Sequence, residues 1–169
     1  PDRNPVVKKV LKGTDILIQN FHTETLTHSI THGDYTTANV KFKEKKVAGI
    51  FDFDWTSFQN TLYDISRGII YFCFKRKHPV DGGNIWSLVQ PCEIDISAVK
   101  VFIDAYKKEF LFTEKDAVNL FYALKETIIG VRVRAIRKVP DIEKQKMLDV
   151  SLLNMLDSID RHRKDFIIQ

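Results

Sequence analysis

Apolar and polar residues follow different periods in different parts of the chain. Residues 6–21 carry Val, Leu, Ile and Phe at near-helical spacing and predict a first helix, which Gly13 weakens near its middle. Val40 and Phe42 alternate with polar residues, and residues 47–53 are rich in apolar ones, with the charged tetrapeptide KEKK between the two segments. This pattern predicts two short strands joined by a polar turn.

Beyond the acidic residues at 52 and 54 the apolar positions recur at helical spacing, and no further strand is expected. The predicted helices cover residues 62–74, about 95–110, 113–138 and 141–162. Thr113 with Asp116 three residues later is typical of a helix start, and Pro140 ends the same helix. Gly82 and Gly83 predict a loop. The expected fold class is α+β and mostly helical, as a single domain over residues 1–169 with a small β-hairpin.

The composition fits one globular domain with a core in which aromatic side chains are prominent. Hydrophobic residues make up 44% and charged residues 28%, and the chain has 12 Phe, 5 Tyr and 2 Trp. The formal net charge of +4 is too small to indicate a nucleic-acid partner. The longest apolar run, residues 68–74, is too short to span a membrane. Cys73 and Cys92 form no CxxC motif, so we expect a reduced, cytoplasmic protein with buried thiols.

Two carboxylates one residue apart follow the second predicted strand, in GIFDFDWT at residues 49–56. Asp52, Asp54 and Thr56 form D-x-D-x-T, which resembles the first motif of haloacid-dehalogenase-type phosphatases. That resemblance implies Asp52 as a nucleophile, Asp54 as a general acid/base and Mg²⁺ at the phosphate. Trp55 stands where that family nearly always has Gly, and the later strands that carry its other ligands are not predicted. This hypothesis remains an alternative.

A second motif lies upstream, in THGDYTTANV at residues 31–40. Four of its residues fit the pattern H-G-D-x-x-x-x-N: His32, Gly33, Asp34 and Asn39. Asp52 follows after the predicted hairpin, and protein kinases have corresponding motifs in the same order. The two motifs together resemble the catalytic loop and the metal-binding segment of aminoglycoside phosphotransferases and choline kinases, which are small-molecule relatives of protein kinases.

This resemblance implies a role for each polar residue of the two motifs. Asp34 would be the catalytic base that accepts the proton of the acceptor hydroxyl, with ATP as the phosphoryl donor. Asn39 and Asp52 would bind the nucleotide through Mg²⁺, because amide and carboxylate oxygens are the ligands that this ion prefers. Asp54 is a less certain third ligand.

Two further residues are implied as structural support. His32 is expected to stabilise the loop through hydrogen bonds. Asp64, in the segment LYDI, resembles the family's YDL motif and would join the first helix after the site to the catalytic loop. Residues 102–112, FIDAYKKEFLF, resemble the helix and loop that flank the acceptor site in homoserine-kinase-like members.

The sequence has no glycine-rich loop of the kind that covers ATP phosphates. Its seven glycines allow no G-x-G-x-x-G motif: Gly13, Gly33, Gly49, Gly68, Gly82, Gly83 and Gly130. We therefore expect the C-terminal lobe of a protein-kinase-like fold, with a nucleotide lobe that is absent from this chain and belongs to a longer or a separate chain. The alternative is a non-catalytic, kinase-derived binding module, although Asp34, Asn39 and Asp52 are all intact.

The acceptor is expected to be a small molecule with a hydroxyl group, such as an amino alcohol, a hydroxy amino acid, a sugar or an aminoglycoside. Polycationic aminoglycosides need an acidic wall, so the basic charge balance favours a neutral or zwitterionic compound. The aromatic segment at residues 71–74 together with Trp86 is a candidate cage for a quaternary amine. At helical spacing, the same side chains also fit a hydrophobic core.

Overall fold

Long helices make up most of the fold, and its strands are short. The computed structural model describes residues 5–79, 81 and 84–166. The α-helices in these ranges are α1 Pro5–Asn20, α2 Leu62–Phe72, α3 Ile96–Glu109, α4 Glu114–Lys138 and α5 Ile142–Arg161. The strands are β1 His28–Thr31, β2 Val40–Lys43, β3 Lys46–Ile50, β4 Ser57–Asn60, β5 Phe74–Arg76 and β6 Cys92–Ile94. This mostly helical α+β composition confirms the predicted fold class.

The predicted helices and the predicted hairpin are present with small shifts at their ends. Asp95 accepts hydrogen bonds from the first turn of α3, and Thr113 with Asp116 forms a capping box at the start of α4. The expectation that no strand follows the acidic segment is wrong, because β4, β5 and β6 lie there. These strands have three or four residues each, which is too short for a period to be visible in the sequence. The loop predicted at Gly82 and Gly83 lies outside the described residues.

The strands described in the structure form three antiparallel pairs: β1 with β4, β2 with β3, and β5 with β6. The β2–β3 hairpin turns at Glu44 and Lys45, which both have positive φ, at 50° and 64°. Two consecutive left-handed residues match the right-handed twist of the flanking strands and make a tight hairpin. The hairpin lies between β1 and β4 in the chain, so the β1–β4 pair closes around both of its ends.

The core lies between the helices and is mainly aliphatic. Helix α4 packs against α1, α2 and α5, and the β5–β6 pair packs against α5. The side chains that are almost fully buried include Leu62, Ile65, Ile69, Ile103, Leu120, Leu124, Leu152, Leu156 and Ile159. The expectation of a prominently aromatic core is wrong, because many of the aromatic side chains lie at the surface near the strands: Phe42, Phe51, Phe53, Trp55 and Phe58.

Both cysteines are free and buried, as predicted. Burial raises the pKa of the Cys73 thiol to about 11, so this thiol stays protonated at neutral pH. None of the helices in the described ranges has both the length and the apolar character that crossing a membrane requires.

A buried carboxylate joins the start of α4 to the start of β1. Asp116 is fully buried and accepts hydrogen bonds from the backbone N–H and the hydroxyl of Thr27, at 2.9 and 2.6 Å. It also accepts from the backbone N–H and the hydroxyl of Thr113, at 2.8 and 2.7 Å. Burial alone would raise the pKa of Asp116, but these hydrogen bonds hold it below its ordinary value. The carboxylate thus fixes the strand that leads into the candidate site.

We expect the substitution Asp116→Asn to lower the free energy of unfolding by about 2–4 kcal/mol at pH 7, because an amide cannot accept four hydrogen bonds as the carboxylate does. The folded-state pKa lies below the unfolded value, so the stabilisation is complete above that value and is lost as pH falls through the folded pKa. Urea unfolding from pH 7 to pH 3 should therefore show the difference from wild type shrinking below about pH 4. Glu114→Gln, at an exposed position of the same helical turn, is the control and should change stability by less than about 0.5 kcal/mol.

Candidate active site

Two loops carry the site residues predicted from the sequence, and paired strands hold both ends of each loop. Loop L1, residues 32–39, runs from the end of β1 to the start of β2. Loop L2, residues 51–56, runs from the end of β3 to the start of β4. The strand pairs next to the loops are Thr31–Ser57 and Val40–Ile50. Because each strand pair joins one end of L1 to one end of L2, the two loops are confined side by side.

Backbone contacts connect the loops directly. The N–H of Phe51 donates to the carbonyl of Asn39 at 2.9 Å. The Nε2 atom of His32 lies 2.8 Å from the carbonyl oxygen of Phe51, and its Nδ1 accepts from the N–H of Asp34 at 3.3 Å. The tautomer with its proton on Nε2 satisfies both contacts of the ring. His32 thereby joins the backbone of L1 to that of L2.

The start of L1 is fixed by α2 and requires glycine. Asp64, in the first turn of α2, accepts the backbone N–H of His32 and, at 3.0 Å, that of Gly33. Gly33 has φ +82°, and a Cβ at this position would meet the carbonyl oxygen of Trp55 at 2.1 Å. Only a residue without a side chain fits both the positive φ and the close approach of L2.

The carboxylate of Asp34 is held on both of its oxygens. The side-chain amide of Asn39 donates to the Asp34 carbonyl at 2.9 Å and to Asp34 Oδ2 at 3.0 Å. The guanidinium of Arg67, on α2, donates to Asp34 Oδ1 at 3.0 Å. The Asp34 side chain is 34% exposed, so part of the carboxylate still faces solvent. Since the Asn39 nitrogen faces Asp34, its amide oxygen is the atom left for another ligand.

The carboxylates of L2 have a different environment. Asp52 directly follows Phe51, is exposed and has φ 63°, a left-handed conformation that Asp adopts more readily than most residues. Asp54 is also exposed. Within the described part of the chain, neither side chain makes a hydrogen bond or an ion pair. Both carboxylates are therefore available to a ligand from outside the chain.

The donor set fits a hard divalent cation that is only partly bound by protein. No group of three or more His, Cys, Asp or Glu side chains in the described ranges is arranged to hold a metal ion. Asn39 and Asp52 offer one amide oxygen and one carboxylate. Mg²⁺ commonly binds to one or two protein oxygens and takes its other ligands from phosphates and water. The chemistry of the two residues is thus suitable for Mg²⁺ bound together with a nucleotide.

Sequence reasoning missed Arg67 and Tyr63. Arg67 is almost fully buried, and its second nitrogen donates to the Tyr63 hydroxyl at 3.0 Å. The available signal was the spacing of Arg67 three residues after Asp64, which puts both side chains on the same face of α2. That face contacts L1.

The fold and the site define a mostly helical α+β unit in which an H-G-D-x-x-x-x-N loop lies against an acidic loop. Residues 10–85 match the model of the phosphotransferase enzyme family. The matched segment contains all the candidate site residues, and the match confirms the predicted resemblance to aminoglycoside phosphotransferases and choline kinases in this part of the chain. The similarity to homoserine-kinase-like members, which depends on residues 102–112, stays a prediction. No curated protein matches the chain.

We expect Gly33→Ala to destabilise the protein by about 2 kcal/mol or more, because the new Cβ combines a strained φ with a backbone clash. Gly130→Ala is the matched control: in α4 its Cβ would come no closer than 3.5 Å to another group, and the replacement removes a flexible residue from a helix interior. It should be neutral or stabilise by up to about 1 kcal/mol. Chemical denaturation of both variants measures the difference, and equal effects would contradict the close approach of the two loops.

Proposed function

We propose that the protein transfers the γ-phosphoryl group of ATP to a hydroxyl group of a small molecule. The arrangement of Asp34 carries this proposal. Its carboxylate is oriented by Asn39 and Arg67, stays partly open to solvent, and lies on a loop bonded to the segment that contains Asp52. A positioned carboxylate beside two hard oxygen ligands is the combination that kinases use for this reaction.

Each residue contributes one part of the transfer. The Asp34 carboxylate accepts the proton of the acceptor hydroxyl while the hydroxyl oxygen bonds to the γ-phosphorus. The bond from the γ-phosphorus to the bridging oxygen breaks, and ADP leaves. The Asn39 amide oxygen and the Asp52 carboxylate would hold Mg²⁺, which would neutralise phosphate charge. Asp54, one residue beyond Phe53, is a candidate further ligand.

The acceptor is proposed to bind in a cleft of about 370 Å³ beside L1. Its walls are mainly apolar and include Tyr35, Phe53, Phe102, Tyr106 and Phe110. The carboxylate that lines it, Asp64, already accepts two backbone hydrogen bonds. A neutral or zwitterionic alcohol with an apolar part therefore suits the cleft better than a polycationic aminoglycoside does.

The aromatic cage suggested by residues 71–74 and Trp86 is less favourable as an acceptor site. Phe74 is buried in the core. The ammonium of Lys144 lies 5.1 Å from the centre of a Trp86 ring, so a cation of the chain itself already occupies that face.

A nucleotide lobe on a longer or a separate chain is proposed to complete the ATP site. Apolar side chains are exposed on the two strand pairs that hold L1 and L2. Ile30 and Phe58 are directly opposite each other in the β1–β4 pair and are 76% and 74% exposed. Phe42 and Val47 are likewise opposite each other in the β2–β3 pair, and both are more than half exposed. An apolar surface next to a polar site is typical of an interaction face, and this one borders the loops that would meet the nucleotide.

The two alternatives, a haloacid-dehalogenase-type phosphatase and a non-catalytic binding module, lead to predictions that differ from those of the phosphotransferase. A haloacid-dehalogenase-type phosphatase would have Asp52 at the end of a strand in a parallel sheet, whereas the described strands form antiparallel pairs and β3 belongs to an exposed hairpin. A non-catalytic module would bind a ligand without transferring phosphate. The intact carboxylates and the family match favour the phosphotransferase.

Asp34→Asn tests the proposed base. In the protein with its nucleotide lobe, kcat should fall by about 10²–10⁴-fold, because an amide cannot accept the hydroxyl proton, while the affinity for Mg-ATP should change by less than about threefold. A coupled ADP-release assay with a panel of alcohols measures kcat, and equilibrium binding measures affinity. Asp15→Asn, at an exposed position of α1, is the control.

Three results would contradict this assignment. Unchanged turnover in Asp34→Asn would exclude Asp34 as the base. Phosphate release from phosphomonoesters that requires Asp52 and not Asp34 would favour the phosphatase. Ligand binding with no transfer by the wild-type protein to any alcohol would favour the non-catalytic module.

Asp52→Asn tests the metal ligand. Loss of the negative charge should raise the Mg²⁺ concentration at half-maximal transfer by about tenfold or more, because a carboxylate is the stronger ligand for this ion. Asp54→Asn, measured in the same titration, should have a smaller effect. A half-saturation point that does not move in Asp52→Asn would exclude Asp52 as a ligand, and equal shifts would make Asp54 a ligand as well.

A further inference from the structure

Arg67 lies outside the motifs identified in the sequence, yet its side chain makes several specific contacts. Its side chain is only 9% exposed, although it carries a permanent charge. One terminal nitrogen donates to Asp34 Oδ1 at 3.0 Å, and the other donates to the Tyr63 hydroxyl at 3.0 Å. The guanidinium carbon lies 4.9 Å from the centre of the Tyr63 ring. The remaining nitrogen, Nε, is buried and has no hydrogen-bond partner among the described residues.

We infer that Arg67 is a positioning residue for phosphoryl transfer, acting through the carboxylate of Asp34. The inference rests on the proposed function. Together with Asn39, which donates to the other oxygen, Arg67 fixes the plane of the carboxylate that would receive the hydroxyl proton. Tyr63 in turn fixes the guanidinium by a hydrogen bond and by its ring. Arg67 and Tyr63 both belong to α2, so Asp34 is attached to the helical core as well as to its own loop.

The geometry points to orientation of Asp34 rather than to general stabilisation. The two terminal nitrogens of Arg67 donate to the side chains of Asp34 and Tyr63. Those of Arg76, whose Nε is also unpaired among the described residues, donate to backbone carbonyls. In a reaction that depends on alignment, a displacement of about 1 Å in a catalytic group can reduce the rate by about 10²-fold. A planar donor that limits rotation of the carboxylate therefore has a direct effect on turnover.

A lysine in the same position would act differently. Its ammonium could pair with Asp34 as a point charge but could not also bond to the Tyr63 hydroxyl with the fixed geometry of a guanidinium. The variant Arg67→Lys should then keep part of the effect, whereas Arg67→Gln should lose it. This graded result is specific to an orienting role that depends on charge and shape.

The test compares kcat, KM and thermal stability of the complete protein in the same ADP-release assay. Arg67→Gln should lower kcat by about 10–100-fold and leave KM for ATP and for the acceptor within about twofold. Arg67→Lys should recover kcat to within about tenfold of wild type. If Arg67→Gln does not fold, Tyr63→Phe, which removes one hydroxyl, should still lower kcat by about threefold at unchanged KM.

Arg76→Gln is the matched control. Arg76 lies in β5, directly after α2, and also has a buried Nε without a partner among the described residues. Its described hydrogen bonds go to the backbone carbonyls of Phe74 and Ile70, and none of them reaches L1. Its replacement should lower the Tm as Arg67→Gln does and leave kcat within about twofold of wild type.

A double variant separates an effect through Asp34 from a general one. If Arg67 acts through Asp34, adding Arg67→Gln to Asp34→Asn should leave the residual rate within about twofold of Asp34→Asn alone. A further loss as large as the one seen in the wild-type background would overturn the inference, and so would a wild-type kcat in folded Arg67→Gln. Absence of transfer by the wild-type protein is a different result, because it would overturn the proposed function and with it any role of Arg67.

Discussion

Two short antiparallel ladders determine where the polar side chains of the candidate site lie. The β1–β4 ladder ends where L1 begins and L2 ends, and the β2–β3 ladder begins where L1 ends and L2 begins. With both ends fixed, the loops have little freedom to separate, and single contacts across them, such as that between His32 and the Phe51 carbonyl, are sufficient to set their relative position. Residues that are far apart in sequence, Asp34 and Asp52, therefore occur on adjacent loops without being in any regular element.

The helices supply rigidity to this arrangement in two steps. Helix α2 contacts L1 through Asp64 at the backbone and through Arg67 at the Asp34 side chain. Helix α2 is itself anchored by buried Leu and Ile residues against α4. At the start of α4, the carboxylate of Asp116 holds the residue before β1. The site is thus attached to the aliphatic core from two directions, and a change in either helix would be transmitted to L1 as a displacement.

The sequence was sufficient for the long helices and for the two motifs of the site. Helices of 11–25 residues show several turns of apolar periodicity, and the capping pair Thr113 and Asp116 acts locally. Strand β4 could not be predicted, because its four residues are stabilised by β1, which lies 26 residues earlier at the nearest pair. The same reason explains why Arg67 was missed. Its importance comes from a contact with a loop that is distant in sequence, and its spacing three residues after Asp64 does not by itself specify that contact.

The position of the aromatic residues could not be predicted from composition either. Burial of apolar area would favour an aromatic core, yet Leu and Ile dominate the interior, and exposed aromatic side chains surround L1 and L2. Leaving Phe42, Trp55 and Phe58 in water is unfavourable for the isolated fold. Such residues are retained where another surface or a ligand covers them, so their concentration beside the site supports a partner there.

The charges of the site lead to the same conclusion from a different direction. Transfer from ATP requires cations at the phosphates, and Mg²⁺ bound by one carboxylate and one amide compensates only part of that charge. Among the described side chains that form a hydrogen bond or an ion pair with L1, Arg67 is the cationic one, and it is already bonded to Asp34 and Tyr63. It cannot leave them for a phosphate without releasing the base. With Arg67 orienting the base as proposed, the phosphates need another cation, and we propose a second lobe that supplies both a phosphate-binding lysine and the cover for the nucleotide.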